Sequence, residues 1–227
     1  RYFTPSGRSI QAKGIVPDVQ VQDPDSPELG IREADLQKHL ANPNDGSSQL
    51  NPLAVQLQLV ARLISARTTS MGARRQVFMV SLGGFDFHND LLRQHGNQMA
   101  KLDHAVDYFQ KCLAQMPGGD MRSQVTTFTA SDFGRTFNTN GDGSDHGWGS
   151  HHLIMGGSLR GGRIYGRMPD WTINGPDDTG RGRWIPTTSV DEYSATLATW
   201  FGVSATDLPT VLPNIGRFAH PDLGFMG

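Results

Sequence analysis

Cysteine is almost absent. Cys112 is the single one in 227 residues, which excludes an internal disulfide. A net excess of either charge is missing as well: 20 Lys and Arg stand against 22 Asp and Glu, for a formal charge of −2. No basic field is therefore available to attract nucleic acid or an anionic membrane. Long apolar runs are lacking too, and none approaches the roughly 20 residues of a membrane-spanning helix. No signal peptide opens the chain, which starts at Arg1 without a methionine. That predicts a fragment, or a chain whose start has been removed. Repeats of fixed period and low-complexity tracts are also absent. What remains is a 37% hydrophobic content, enough for one full-sized core. The 27 glycines and 13 prolines sit mainly in the last hundred residues and predict long, shaped loops there.

The first 45 residues differ in character from the rest. "RYFTPSGRSIQ" (1–11) predicts a hairpin around a Thr-Pro-Ser-Gly turn, and "KGIVPDVQVQ" (13–22) a short edge strand. "DPDSPELG" reads as a linker, "READLQKHLAN" (32–42) as a short amphipathic helix stopped near Pro43, and "NPNDGSSQLNP" as a polar joint. From residue 46 a second unit is expected. Leu53, Leu57, Val60 and Ile64 recur at helical spacing after Asn51-Pro52. Val77 to Leu82 reads as a buried strand ending in Gly83-Gly84. A long helix through Met99, Leu102, Val106, Phe109 and Leu113 follows, halted by "PGG". "SQVTTFTASDFGRT" repeats the strand-then-glycine form, and "DEYSATLATWFG" predicts a further helix. Strands alternating with helices predict an α/β fold with a largely parallel sheet, whose functional loops leave the carboxyl ends of the strands.

Three loops carry the chemistry. In "GGFDFHND", a glycine turn presents Asp86 and His88 at i and i+2, a carboxylate and an imidazole suited to zinc or another divalent ion. The alternative is a helix start capped by Asp86 or Asn89, with His88 simply exposed. In "TASDFGRT", Asp132 follows a strand and Arg135 lies three residues on; they suit a metal and an anionic oxygen respectively, or a loop salt bridge. In "GDGSDHGWGSHH", Asp145 and His146 sit between glycines and Trp148 is placed to wall a site. His151 and His152 point to different sides of an extended chain, so at most one faces that site. Together the loops predict a metal centre of Asp86, His88, Asp132, Asp145 and His146.

Two resemblances attach to these words. Residues 1–42, with "YFTPSGRSIQ", "GIVPD" and "EADLQKHL", resemble the end of the catalytic region of the carboxy-terminal processing (tail-specific) peptidases. That family's serine nucleophile and lysine base have no counterpart here: Ser6 and Ser9 flank Arg8 without a positioned base, and Lys13 reads as a solvated strand residue. Residues 51–218 resemble the C-terminal half of a bacterial sulfatase-like family of unknown function in the alkaline phosphatase superfamily. The words "QVFMVSLGGFDFHN", "TASDFGRTFNTNGDGSDHGWGSHHLIMGG", "GGRIYG" and "TTSVDEYSATLATWFG" carry this likeness.

The second resemblance implies a partial doubly wound, largely parallel sheet holding one or two divalent metals. It also implies export to the periplasm as the family habit. Asp86 and His88 match the family's Asp-x-His, Asp132 the strand-end acid, and His146 the late loop histidine. Phe133 departs from the histidine that follows the strand-end acid in the superfamily. The superfamily's first metal aspartate and its serine or threonine nucleophile belong to an N-terminal half, for which residues 1–45 offer no equivalent.

The expected function is hydrolysis of a small anionic ester, phosphate or sulfate, through a metal-bound water, with Arg135 contacting the anion. Zinc leads among the metals, with calcium, magnesium or manganese as alternatives. The competing expectation is a non-catalytic fusion that binds metal structurally or forms homo-oligomers through open sheet edges. A serine peptidase or esterase ranks third.

Overall fold

The computed structural model describes residues 38–67 and 74–227. The hairpin, the edge strand and the first part of the helix expected before residue 38 lie outside the described residues. Where that helix was expected to finish, the chain instead forms β1 (His39–Ala41), paired antiparallel with β2 (Ser48–Leu50). The intervening "NPNDG" explains the difference. Asn42 accepts from the Asn44 backbone amide, and Gly46 takes φ 73, a turn that reverses the chain where a helix would have run on.

Helix α1 (Pro52–Ser65) starts where the Asn-Pro pair predicts. Asn51 caps it by accepting from the amides of Leu53 and Ala54, and Pro52 fills a position where no amide is needed. Helix α2 (Leu91–Ala114) ends just before Pro117-Gly118-Gly119. Its buried face is Ala105, Tyr108, Phe109, Cys112 and Leu113, a stripe at i, i+3, i+4, i+7 and i+8. Met99, expected on that stripe, is exposed. Leu53, Leu57, Val60, Ala61 and Ile64 of α1 meet this face and form the core with Met116 and Met121. Each Leu, Ile, Val or Met side chain among them contributes about 1.5–3 kcal/mol on burial.

The expected strand 77–82 joins no ladder among the described residues. Its alternation shows why. Phe78, Val80 and Leu82 pack on the helical core, while Val77 and Met79 stand 76% and 95% exposed. One face is covered and the other open, whereas a central parallel strand is covered on both.

A doubly wound, largely parallel sheet is therefore not formed among the described residues. They hold three two-stranded antiparallel sheets: β1–β2, β3 (Thr127–Phe128) with β6 (Ile154–Met155), and β4 (Gly134–Thr139) with β5 (Ser144–Gly147). The architecture is mixed helix and small sheet. Helix α3 (Val190–Phe201) begins with a capping box between Ser189 and Glu192 and stops at Gly202, with φ 103. A last turn of helix, α4, spans Leu208–Val211. No helix among the described residues is long and apolar enough to cross a membrane.

Candidate metal centre

Two loops 60 residues apart in sequence are fastened together by backbone. The Gly83-Gly84 turn, with Gly84 at φ 85, is gripped from α2 by Gln98, whose amide donates to both carbonyls. Neither Asp86 nor Asn89 caps α2. Its N-cap is Asp90, in a left-handed conformation, and the cap comes from the β4–β5 hairpin instead. Asp142 accepts from the Asp90 amide through its carboxylate at 2.9 Å and from the Leu91 amide through its carbonyl at 3.1 Å. The Ser144 amide donates to the Phe87 carbonyl, and Asn140 donates to the His88 carbonyl. Gly143 is required at this junction, because a Cβ there would sit 2.4 Å from the His88 backbone. The β4–β5 hairpin is thus locked over the Asp86 loop, and that lock delivers His146 to Asp86.

The result is a trio. Nε2 of His146 lies 2.7 Å from Oδ1 of Asp86, and Nε2 of His88 lies 3.0 Å from the same oxygen. One ligand atom from each of the three residues falls within 4.8 Å of the others, and all three side chains are exposed. A tetrahedral zinc ion with bonds of about 2.0–2.1 Å spaces its ligand atoms about 3.3 Å apart. The two distances to Asp86 Oδ1 fall short of that spacing by about 0.3–0.6 Å, a small movement for exposed side chains.

Phe133 stacks flat on His146, with ring centroids 4.0 Å apart and 9° between the planes, and so fixes the imidazole's orientation. The phenylalanine that departs from the superfamily pattern thus steadies one member of the trio. Its one sequence signal was its place between the strand-end acid and the glycine.

Arg135 has other work than the anion contact expected of it. Its guanidinium donates to the Phe85 carbonyl at 2.6 Å, to Asp86 Oδ1 at 3.1 Å and to the Ser144 carbonyl, and its side chain is only 19% exposed. It ties the two loops together and holds the carboxylate in place. The hydrogen bond from His146 acts first, and that from Arg135 second, in keeping the Asp86 carboxyl below its ordinary pKa. His88 and His146 add a favourable charge interaction.

Asp145 stands one step back. Its Oδ1 is 3.7 Å from Nδ1 of His88, and its Oδ2 accepts from Arg181 at 2.6 Å. Partial desolvation pushes its pKa up, but Arg181, Asn140 and His88 together outweigh this and leave it lowered. An imidazole that binds a metal through Nε2 carries its proton on Nδ1, and the Asp145 carboxylate lies on that side of His88, beyond hydrogen-bond length.

Asp132 is exposed and lies outside the trio, although its neighbour Phe133 touches His146. Trp148 is 64% exposed. His151 stacks on Trp171, while His152 stacks on Tyr193 and shares a hydrogen bond with Thr129. Neither histidine belongs to the trio. Burial, and then the neighbouring His151, lower the His152 pKa. Sequence reasoning passed over the loop "GRGR" (180–183). From it Arg181 reaches Asp145, and the Arg183 Nε donates to the His146 carbonyl at 3.2 Å.

Residues 31–188 match the model of one protein family, described as "Protein of unknown function (DUF1501)". No curated protein matches the chain. No solved structure matches it.

Proposed function

Since the chain belongs to the DUF1501 family, whose description assigns no activity, we propose its function from the trio itself: metal-dependent hydrolysis of a small anionic ester. The observation that carries this reading is the convergence of Asp86, His88 and His146 on one exposed point. Three protein ligands with an open side are the arrangement of catalytic zinc centres, whereas structural zinc takes four. Zinc fits the two imidazoles best; calcium and magnesium prefer an all-oxygen shell. A divalent ion there would supply a water acidified toward a pKa of about 7. The chain's own residues hold the ligands: Arg135 fixes Asp86, Phe133 fixes the His146 ring, and Asp145 steadies His88.

The likeness of "SDFGRT" and "GSDHGWGSHH" to sulfatase-like members of the alkaline phosphatase superfamily supports phosphate or sulfate as the group transferred, and it is the argument for a parallel-sheet ancestry. Hydrolysis of p-nitrophenyl phosphate, sulfate and acetate, before and after chelation and zinc restoration, tests the reading. Activity that falls with chelator, returns with zinc and is lost in His146→Ala is expected. Hydrolysis indifferent to chelator, or intact in His146→Ala, defeats it.

A second reading is self-association without catalysis. It draws on segment 77–82, whose outward Val77 and Met79 leave an apolar face open. A dimeric mass in solution that reverts to monomer in Met79→Lys would favour it.

A further inference from the structure

A phosphate or sulfate ester needs a cationic contact for its oxygens, and arginine matches that geometry best. Arg135 is already committed to two carbonyls and to Asp86, and little of it meets solvent. Arg181 is the opposite case. Its side chain is 48% exposed, and among the described residues its guanidinium makes one hydrogen bond, from Nη1 to Asp145 Oδ2. Because the other oxygen of that carboxylate faces Nδ1 of His88, the guanidinium stands one carboxylate away from a trio ligand.

The backbone beneath Arg181 is unusual for so long a side chain. Gly180, Arg181 and Gly182 take φ 108, 63 and 69, three left-handed conformations in succession. Glycine adopts these freely, but arginine does so under strain, and strain of this kind collects at functional positions. The loop is not loose. Phe137 and Asn138 of β4 donate their amides to the carbonyls of Gly182 and Arg181, which extends the β4–β5 hairpin by a third edge. Asp178 accepts from the amides of Asn174, Gly180 and Arg183. The fold holds this left-handed residue in place beside Asp145, on the Nδ1 side of His88. The Asp145–Arg181 pair is solvent-exposed, so exchanging part of it for an anion costs little.

We propose that Arg181 binds the anionic oxygens of a phosphate or sulfate ester seated at Asp86, His88 and His146, which makes it the residue that selects charged over neutral esters. This rests on the metal-hydrolase reading, and its test separates the two. Inorganic phosphate, and then inorganic sulfate, are titrated calorimetrically into wild-type, Arg181→Gln, Arg181→Lys and Arg181→Gly protein, each with and without zinc; zinc binding is titrated separately. Wild-type protein is expected to bind either anion, more tightly with zinc. Arg181→Gln and Arg181→Gly should weaken that binding at least tenfold while zinc affinity stays within about threefold, and Arg181→Lys should recover part of the loss. The glycine variant suits the left-handed backbone, so a loss shared with Arg181→Gln belongs to the missing charge and not to the fold. Anion binding that depends on Arg181 in a protein that takes up no zinc would sink the metal reading and uphold the contact. Zinc uptake with no anion binding, or anion binding unchanged in Arg181→Gln, overturns the proposal.

Discussion

Asn51 offers a sharp test of how α1 and α2 are joined. Its side chain is fully buried and joins both helices. Oδ1 caps α1, and Nδ2 donates to the Lys101 carbonyl of α2 at 2.7 Å and lies 3.1 Å from His104 Nδ1. Removing the amide in Asn51→Ala costs the cap, about 1 kcal/mol. It also costs the hydrogen bonds to α2, about 1–2 kcal/mol net. The sum of about 2–3 kcal/mol corresponds to a fall in Tm of about 4–12 °C for a chain of this size. Asn51→Asp separates the two halves. The carboxylate keeps the cap acceptor but sets an oxygen against the Lys101 carbonyl inside the core, which is worse than leaving the space empty.

That environment raises the folded-state pKa of the new carboxyl above its unfolded value. The protonated form donates to Lys101, so the deficit of Asn51→Asp should be small in acid and grow as pH rises through the raised pKa. Urea denaturation of the three proteins between pH 4 and 8 is the assay. Asn51→Ala within about 0.5 kcal/mol of wild type, or Asn51→Asp at least as stable as Asn51→Ala at pH 7, would refute the reasoning.

Leu113→Ala, at a fully buried position between the helices, should lose about 2–5 kcal/mol in the same denaturation assay. Gly182→Ala imposes a strained φ and sets a Cβ 2.4 Å from that of Phe137. It should lower the melting temperature and weaken anion binding together. Asp178 carries a pKa lowered chiefly by the Asn174 amide, so its contribution is present above the ordinary carboxyl value and lost as pH falls through the lowered one. The stability difference between wild type and Asp178→Asn should therefore be full at pH 6 and vanish in strong acid; a difference that grows toward acid contradicts this.

Local signals in the sequence translated well. Asn51-Pro52, the halting Pro117-Gly118-Gly119 and the apolar spacing of α1 each act within one or two turns, so their effect needs no knowledge of the partner. The ligand-type side chains of "GFDFH" and "GSDHG" were visible as types, and the structure brings Asp86, His88 and His146 of that set together. What was not legible depended on contacts distant in sequence. Whether residues 77–82 become a ladder strand is decided by what lies beside them, and alternation in the segment itself is silent on that. His39–Ala41 have helical composition, yet the NPNDG turn folds them onto β2 as a strand, a local signal that by itself reads only as a polar joint. The salt bridge weighed for Arg135 forms with Asp86, and the Phe85 and Ser144 carbonyls that share its guanidinium lie 50 and 9 residues away. Arg181 hid because its significance lies in a left-handed φ and in a carboxylate 36 residues upstream.

Hydrolysis at this centre requires first that the trio take up a cation. Equilibrium dialysis of the metal-stripped protein against zinc, followed by elemental analysis, measures this directly. One zinc per chain is expected, with loss of most of that affinity in His88→Ala and in His146→Ala and little change in Asp132→Ala. No retained zinc, or zinc retained by the two histidine variants as fully as by wild type, would contradict it.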